Sequence, residues 1–357
     1  MRAGRRDAAG ARGRRMEGRR QTTAGGGAMS GRVLVTARAF FAAGEAAAAV
    51  LRAAGLEIVR APRFGPLPPS ELIPALQGVS GVIAASDPYT EAVFTAAPDL
   101  RVVARTGVGY DSVDLEAATR HRVVVVTTPG RIAETVADFA FGLMLAMARR
   151  IPEAAGLMRR GGWAAEMPGT DLWRRCIGIV GMGAVGAAVA RRAHGFSMRV
   201  LGCDPALPEH VVRERGAEPA TLAQVLAESD FITLHASLDA GSRRLIGAAQ
   251  LAAMKPTAFL INTARGAMVD PDALLEALDA GRIAGAALDA FDFEPLPAEH
   301  PLRQIPRCIL TPHIAFSTRE TSLDMSRRAA AAVAAVVAGR RPPEDVRVLN
   351  PEALAGG

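Results

Sequence analysis

Short apolar runs alternate with amphipathic stretches along most of this chain. Before residue 130, the apolar runs predict strands at 32–36, 57–60, 81–85, 101–104 and 123–127. Between them, periodic stretches predict helices at 44–54, 70–77, 90–96 and 113–120. Strands that alternate with helices are typical of a parallel sheet covered by helices.

Two apolar helices, at 133–149 and 152–160, precede a second alternating series. Its strands are predicted at 177–180, 199–203, 231–234, 258–262, 284–288 and 308–311, with helices at 222–227 and 271–280. One long Ala-rich helix is predicted at 319–338, and the remainder is predicted to be irregular. The two series indicate an α/β protein with two doubly wound parallel-sheet domains of the Rossmann or flavodoxin kind.

The second series opens on a glycine fingerprint that links its first strand to an Ala-rich helix. Its members are Gly181, Met182, Gly183, Ala184, Val185 and Gly186. Gly181 suits a tight turn, Gly183 suits close approach of backbone to a pyrophosphate, and Gly186 suits close helix–strand packing. The amides at the helix N-terminus would face the phosphates. This arrangement predicts a dinucleotide site.

An acid ends the second strand of that unit. Asp204 stands 18 residues after Gly186 and is predicted to accept hydrogen bonds from the adenosine ribose. A carboxylate repels a 2′-phosphate, and the following Pro205 and Ala206 supply no cation. The sequence therefore predicts NAD rather than NADP.

Three ionisable residues follow three successive strands of the second series. They are Arg265, Glu294 and His313. Ligands of doubly wound sheets bind beyond the carboxyl ends of the strands. Each residue taken alone could be an ordinary surface or loop residue, but their shared position favours chemistry.

Carbonyl reduction needs two kinds of group, and these residues provide both. Arginine matches carboxylate geometry and stays charged, so Arg265 suits holding a substrate carboxylate and polarising its carbonyl. Histidine suits proton transfer near neutral pH, and a carboxylate partner such as Glu294 would orient His313.

The charge is concentrated at the N-terminus. Residues 1–30 hold eight arginines and two acids, Asp7 and Glu17, so the net charge of this segment is 8 − 2 = +6. This equals the net charge of the whole 357-residue chain. This segment is predicted to be a disordered Arg/Gly-rich tail, and Met29 is an alternative start. A start placed too early is favoured over a nucleic-acid role for this tail, and the remaining 327 residues are close to neutral.

The spacing of the cysteines and the length of the apolar runs argue against a metal-binding or a membrane protein. Cys176, Cys203 and Cys308 are far apart without metal-ligand spacing, so we expect reduced structural thiols and no metal site. The longest apolar run, 139–148, is too short to cross a bilayer. We expect a cytoplasmic protein with no membrane or nucleic-acid partner.

The motifs together resemble those of the D-isomer-specific 2-hydroxyacid dehydrogenases, over roughly residues 32–341. Besides the fingerprint, Asp204 and the three ionisable residues, they include Gly107-Val-Gly-Tyr-Asp-Ser-Val-Asp114, Leu234-His235, Asn262-Thr-Ala-Arg-Gly266, Gly285-Ala-Ala-Leu-Asp289, Glu294-Pro-Leu-Pro297 and Thr311-Pro-His313. The resemblance implies hydride transfer between nicotinamide and substrate C2, with His313 as acid/base, Glu294 as its partner and Arg265 as polarising residue.

Further site residues come from the resemblance. It implies that amides around Val108 and Gly109 hold the substrate carboxylate. It places Asp289 at the nicotinamide carboxamide and Thr135 near the cofactor phosphates. Additional cofactor contacts are expected at His235, Thr263 and Ala264.

The resemblance also implies a discontinuous fold. Residues 31–130 and 314–345 would form the substrate domain, and residues 131–313 the NAD-binding domain. It implies a homodimer, for which the apolar stretches 139–149 and 151–160, with Trp163, are candidate contacts. The short C-terminal segment predicts a form without a regulatory domain.

Substrate choice is the open question. The 107–111 region and Asp87-Pro-Tyr-Thr90 look most like phosphoglycerate dehydrogenase members, with Arg105 as a candidate phosphate reader. D-3-phosphoglycerate is therefore the leading substrate, although Ala85 stands where such enzymes place an arginine. The alternatives are a hydroxypyruvate/glyoxylate or other 2-keto acid reductase and, as a different class, a non-enzymatic NAD-sensing corepressor.

Overall fold

The structure is a computed structural model and describes residues 31–354; the Arg-rich segment 1–30 lies outside the described residues. The chain forms two sheets. The elements of the first series are β1 (Arg32–Val35), α1 (Arg38–Ala42), α2 (Glu45–Ala53), β2 (Glu57–Arg60), α3 (Pro69–Ala75), β3 (Gly81–Ala84), α4 (Glu91–Thr95), β4 (Val102–Arg105), α5 (Leu115–Arg120) and β5 (Val124–Thr127).

Two helices, α6 (Arg131–Ala148) and α7 (Ile151–Arg159), lead into the second series. Its elements are β6 (Cys176–Val180), α8 (Ala184–Gly195), β7 (Arg199–Cys203), α9 (Glu209–Glu214), β8 (Glu218–Pro219), α10 (Leu222–Glu228), β9 (Phe231–Leu234), α11 (Ala248–Ala253), β10 (Phe259–Asn262), α12 (Pro271–Asp279), β11 (Gly285–Leu288) and β12 (Cys308–Leu310). The chain then returns to the first sheet through α13 (Arg319–Val337) and β13 (Arg347–Val348).

The first sheet has the strand order β13-β5-β4-β3-β1-β2, and all its pairs are parallel except β13 with β5. Strands β3, β4 and β5 are buried along their whole length, which explains why they read as continuous apolar runs rather than alternating ones. Helix α13 packs on this sheet and against α1 and α2. Burial of its alanines and valines accounts for the Ala-rich pattern.

The second sheet has the strand order β12-β11-β10-β9-β6-β7-β8 and is parallel throughout. This is the doubly wound dinucleotide-binding order with one further strand, β12. The order reverses between β6 and β9, so a crevice lies at the carboxyl ends of those two strands. The predicted fold class, with two doubly wound sheets, is therefore confirmed.

Helix α6 joins the two halves. Its buried face, including Phe141 and Met144, belongs to the core of the second sheet. Near its N-terminus, Ile132 and Val136 pack with Ala315 and with Met325 of α13. The chain therefore crosses between the sheets at two places that touch each other, and the carboxyl ends of strands from both sheets face one cleft.

Local sequence signals set several helix starts. Asp114 accepts from the Ala117 amide at the start of α5, and Asp270 does the same for Ala273 at α12. Thr221 and Gln224 form a reciprocal capping box at α10. Such caps satisfy amides that have no partner within the helix.

The prediction of an irregular segment after residue 338 is wrong. β13 pairs antiparallel with β5, and the side-chain oxygen of Asn350 accepts from the Val125 amide at 2.8 Å. A strand of two residues carries no periodic pattern, so only its partner strand reveals it. The short helices α1, α9 and α11 were also not predicted, because five or six residues are too few to show a helical period. Within residues 31–354, no helix has the combination of length and hydropathy needed to cross a bilayer.

Candidate active site

The 181–186 loop has the geometry expected of each of its glycines. Gly181 has φ +91°, and a Cβ there would lie 2.3 Å from the Ala236 nitrogen. A Cβ at Gly186 would lie 2.1 Å from the Gly181 carbonyl oxygen, whereas a Cβ at Gly183 would meet nothing within 4 Å. The first and third glycines therefore allow tight packing, and the middle one faces open space.

Asp204 lies directly beside this loop. Its Oδ2 accepts a hydrogen bond from the Met182 amide at 2.9 Å. The guanidinium of Arg215 donates to the Met182 carbonyl oxygen. The residues that follow Asp204 in sequence, Pro205 and Ala206, carry no positive charge. The fold nevertheless brings the cation of Arg215, at the end of α9, close to this loop. Arg215 was missed because it lies 11 positions from Asp204.

The ends of β9 and β10 complete this side of the cleft. Burial lowers the pKa of His235 to about 3, so its ring is neutral, and its Nε2 lies 2.8 Å from the hydroxyl of Thr233. The hydroxyl of Thr263 is buried and has no hydrogen-bond partner within the described chain. The next residue, Ala264, is held by Asn262, which accepts from its amide at 3.0 Å.

Arg265 projects from the loop after β10. The side chain of Asn262 donates to the Arg265 carbonyl at 2.8 Å, so this buried amide fixes the backbone on which the guanidinium stands. A Cβ at Gly266 would lie 2.1 Å from the Phe291 carbonyl carbon. The loop of Arg265 therefore packs directly on the loop that carries Glu294.

Glu294 and His313 form a direct pair. The His313 Nδ1 lies 2.8 Å from Glu294 Oε2 and 3.0 Å from Oε1. Burial by itself would raise the pKa of Glu294, but the hydrogen bond to His313, the charge of that ring, the Phe291 amide and Arg265 leave it below its ordinary value. With Nδ1 held by the carboxylate, Nε2 is the nitrogen left for a substrate.

Asp289 stabilises the loop of His313 by three hydrogen bonds. Its Oδ1 accepts from the Thr311 hydroxyl at 2.6 Å and from the Ile314 amide at 2.9 Å, while Oδ2 accepts from the Ala315 amide at 2.8 Å. Burial raises the pKa of Asp289, and these donors partly offset that effect. His313 itself has φ +53°, an unusual value for a non-glycine residue, and the surrounding bonds hold it there.

The 107–111 loop approaches from the first sheet. The Gly107 amide donates to the hydroxyl of buried Thr128 at 3.0 Å. The amides of Val108 and Gly109 donate to no acceptor within residues 31–354. Two adjacent unpaired amides at the cleft are suitable donors for a carboxylate.

An ion pair spans the cleft. Asp111 Oδ1 accepts from Arg265 Nε at 3.0 Å and from Nη2 at 2.9 Å. The Arg265 side chain also lies against Gly109, where a Cβ would be 1.5 Å from Nη2. The motif containing Asp111 was visible in the sequence, but 154 positions separate the partners. Its contact with Arg265 was therefore not predicted.

Arg105 lies beneath the same loop and is only 6% exposed. Its Nε donates to the Gly109 carbonyl at 3.1 Å, and its Nη1 is buried with no partner among residues 31–354. Burial and the neighbouring charge of Arg265 lower the pKa of Arg105. The structure thus places Arg105 behind the loop rather than on the cleft surface.

Thr135 lies in the first turns of α6. Its hydroxyl is 2.6 Å from that of Thr321 on α13, so it joins the two helices at the crossover. A contact between Thr135 and cofactor phosphates stays a prediction. Among the described residues, no group of three or more His, Cys, Asp or Glu side chains could hold a metal ion.

The residues present fit a nicotinamide dinucleotide. The open space at Gly183 and the unpartnered hydroxyl of Thr263 lie at the carboxyl ends of β6 and β10, beside the point where the strand order reverses. Asp204 stands at the end of β7, where the ribose acid of dinucleotide-binding folds is found.

Comparisons with known proteins agree with this geometry. Residues 141–315 match the sequence model of the D-isomer specific 2-hydroxyacid dehydrogenase NAD binding domain. A glyoxylate reductase from Korarchaeum cryptofilum is 46% identical over 263 residues, covering 72% of this chain and 79% of that protein. A glyoxylate/hydroxypyruvate reductase B from Pectobacterium carotovorum is 42% identical over 288 residues, covering 79% of this chain and 88% of that protein.

A solved structure extends the likeness to both sheets. The TT0316 protein from Thermus thermophilus is 40% identical, with a TM-score of 0.78 over 89% of this chain and 99% of that one. The chain belongs to the D-isomer-specific 2-hydroxyacid dehydrogenases. It is accordingly an NAD-dependent oxidoreductase acting on the CH–OH group of 2-hydroxy acids, or on the corresponding carbonyl in reverse.

Proposed function

We propose that this enzyme reduces small 2-keto acids, with glyoxylate and hydroxypyruvate as the foremost substrates. The observation that carries the proposal is the cleft itself. A His313–Glu294 pair on one sheet faces the unpaired Val108 and Gly109 amides on the other, with Arg265 between them. Support for the substrate class comes from the two relatives named above, a glyoxylate reductase and a glyoxylate/hydroxypyruvate reductase.

In this proposal the substrate carboxylate is held by the 107–111 loop, and Arg265 polarises the C2 carbonyl. A reduced nicotinamide bound in this cleft would supply the hydride that C2 accepts. As negative charge develops on the carbonyl oxygen, the positive Arg265 side chain stabilises it. His313 Nε2 gives that oxygen a proton, and the Glu294 carboxylate stabilises the ring while it is positively charged.

We further propose which residues hold the cofactor. The 181–186 loop faces the phosphates, Asp204 takes the ribose hydroxyls, and His235, Thr263 and Ala264 line the path toward the nicotinamide. Asp289 is predicted at the carboxamide, and its three hydrogen bonds to residues 311–315 add a second role, the positioning of His313.

D-3-phosphoglycerate is less well supported as substrate. A phosphate reader must present a cation to the cleft, but Arg105 is buried and bonded to the loop backbone. Ala85 provides no charge at the position where phosphoglycerate enzymes carry an arginine. Both points favour a substrate without a phosphate group.

The proposed domains follow the two sheets. The first sheet with α13 is the substrate domain, and the second is the cofactor domain. We also propose a homodimer that uses the region after α6. The apolar residues of α6 are mostly core, including Phe141 and Met144, whereas Trp163 is 81% exposed and Trp173 is 62% exposed.

The experiment that tests the function is NADH oxidation across a panel of acids. The panel contains glyoxylate, hydroxypyruvate, pyruvate, 2-oxoglutarate and branched 2-keto acids, with D-3-phosphoglycerate oxidation measured beside it. We expect glyoxylate or hydroxypyruvate to give the highest kcat/KM. His313→Gln should lower kcat about 100-fold or more while the Kd for NADH stays within about twofold, because its role is proton transfer.

Two results would contradict the proposal. Full turnover by His313→Gln would remove the histidine from the chemistry. NADH binding by the wild-type protein without turnover of any acid in the panel would instead favour an NAD-sensing role without catalysis.

A further inference from the structure

The guanidinium of Arg328, in the middle of α13, bonds to three separate segments of the chain. Its Nη1 donates to the Pro129 carbonyl at 2.7 Å and to the Asp345 carbonyl at 3.1 Å, and its Nε donates to Asp324 Oδ1 at 3.1 Å. Pro129 belongs to the crossover between β5 and α6, Asp345 precedes β13, and Asp324 lies one turn earlier on α13 itself. Arg328 therefore joins the return helix to the crossover and to the C-terminal segment.

The chain around Arg328 is shaped to receive its charged group. Only 24% of the side chain is exposed, although an arginine on a helix ordinarily keeps its charged end in water. The neighbouring Gly130 leaves room for the guanidinium, because a Cβ there would lie 3.0 Å from Nη1. Ion pairs near the surface, such as those with Asp324 and Asp345, add little to stability. The contact with the Pro129 carbonyl is therefore the one that points to a role in the reaction.

The backbone that Arg328 holds is bonded directly to the 107–111 loop. Thr128 precedes Pro129 in the chain and is completely buried. Its amide donates to the Gly107 carbonyl at 2.9 Å, and its hydroxyl accepts from the Gly107 amide at 3.0 Å. A continuous series of hydrogen bonds thus leads from α13 through the crossover to the first residue of the loop.

We propose that Arg328 is a positioning residue, which fixes the 107–111 loop in the geometry that receives the substrate carboxylate. It acts through Pro129 and Thr128 rather than by contact with the substrate. This role rests on the proposed function, in which two unpaired amides of the loop hold that carboxylate. Because the groups that transfer the proton stand on the second sheet, loss of Arg328 weakens substrate binding rather than slowing the chemical step.

Arg328→Gln removes the donor to Pro129 with little change in helix propensity. Substrate binding is measured as KM for glyoxylate and as the Kd of oxamate, an unreactive monoanion shaped like a 2-keto acid, by calorimetry on the NADH-saturated protein. We expect both values to rise about tenfold as the loop loses its fixed geometry. The kcat and the Kd for NADH should stay within about threefold of the wild type, because His313 and the 181–186 loop are not disturbed.

A purely structural role of Arg328 would give a different pattern. Partial unfolding lowers the concentration of active enzyme, so the apparent kcat falls while KM stays unchanged. Arg328→Met keeps the apolar part of the side chain and provides a second neutral variant, for which we expect the same rise in KM. Arg328→Lys keeps a donor of similar length and should restore KM to within about threefold of the wild type.

Arg327→Gln is the matched control. Arg327 is exposed on the same helix, so its replacement removes the same charge without touching Pro129. We expect KM for glyoxylate and the Kd of oxamate to stay at the wild-type values.

A double variant tests whether Arg328 acts through Thr128. Thr128→Val is nearly isosteric and removes the hydroxyl that accepts from the Gly107 amide, so by itself it should weaken oxamate binding about tenfold. Independent effects would multiply to about 100-fold when Thr128→Val is combined with Arg328→Gln. Because both changes break one series of hydrogen bonds, we expect the double variant to bind oxamate only about threefold more weakly than either single variant.

Two results would overturn the role of Arg328: wild-type KM and oxamate Kd in both neutral variants, or fully multiplicative effects in the double variant. Failure of the proposed function has another signature. A wild-type protein that binds oxamate but reduces no 2-keto acid would overturn that function, while the Kd comparison would still report on Arg328. A wild-type protein that does not bind oxamate would remove the carboxylate from the 107–111 loop and with it the positioning role.

Discussion

The two sheets share a doubly wound topology but differ at the point where their strand order reverses. In the second sheet this point lies between β6 and β9, where Gly183 borders open space. In the first sheet it lies between β1 and β3, and it is filled. Asp87 is completely buried there, accepts from the Leu67 amide at 2.9 Å and also bonds the hydroxyl of Thr36.

The difference teaches that topology provides a crevice, but the residues after the strands decide whether it binds a ligand. Within residues 31–354, the buried Asp87 and its partners thus occupy the position that is open in the second sheet. The contribution of the first sheet comes instead from the end of β4, where the 107–111 loop faces Arg265 of the other sheet. Four substitutions test whether the second sheet binds the cofactor while the first contributes the 107–111 loop.

The largest expected effect is at Gly186, where helix α8 packs on the turn after β6. Gly186→Ala places a Cβ 2.1 Å from the Gly181 carbonyl oxygen, and backbone cannot move aside as a side chain can. We expect a loss of about 3 kcal/mol in the free energy of unfolding, measured by urea denaturation, together with loss of NADH binding.

Gly183→Ala is its matched control, since a Cβ there meets no protein atom within 4 Å. We expect unfolding within about 0.5 kcal/mol of the wild type, but NADH affinity about tenfold weaker or more, because the added methyl group enters the space assigned to the pyrophosphate. Unchanged affinity in this variant would remove that assignment.

A smaller effect than that of Gly186→Ala is expected from a glycine substitution in the first sheet. Gly109→Ala puts a Cβ 1.5 Å from Arg265 Nη2, and this flexible side chain can move away without unfolding the protein. We expect kcat/KM for glyoxylate to fall about 100-fold as Arg265 leaves its position. The Kd for NADH should be unchanged, because the 181–186 loop and Asp204 are untouched. If the variant also lost NADH binding, the 107–111 loop and the 181–186 loop would not be independent of each other.

The smallest effect is expected at Asp204. Asp204→Asn keeps an acceptor for the Met182 amide but removes the charge that repels a 2′-phosphate, and Arg215 lies close by to attract one. We expect the preference for NADH over NADPH, measured as a ratio of kcat/KM values, to fall about tenfold. The kcat at saturating NADH should not change. An unaltered ratio would place cofactor choice elsewhere.

Much of this protein was determined by local sequence. The strands of both sheets, apart from the two-residue β8 and β13, were predictable because their apolar runs are short and bounded by turn residues. The 181–186 loop was predictable because its glycines, strand, helix and Asp204 fall within one continuous unit. Arg265, Glu294 and His313 were identifiable as candidates because each follows a strand at the same edge of the sheet.

Other features depended on contacts between distant parts of the chain. Only the tertiary structure joined Asp111 to Arg265, placed Arg105 behind the 107–111 loop, brought Arg215 to Met182 and paired β13 with β5. The physical reason is that periodicity and spacing report which face of an element is buried, but not which side chain meets it across a cleft. The sequence therefore determined the reaction class and the cofactor unit, whereas the contact of Asp111 with Arg265 and the enclosure of Arg105 were decided by the fold.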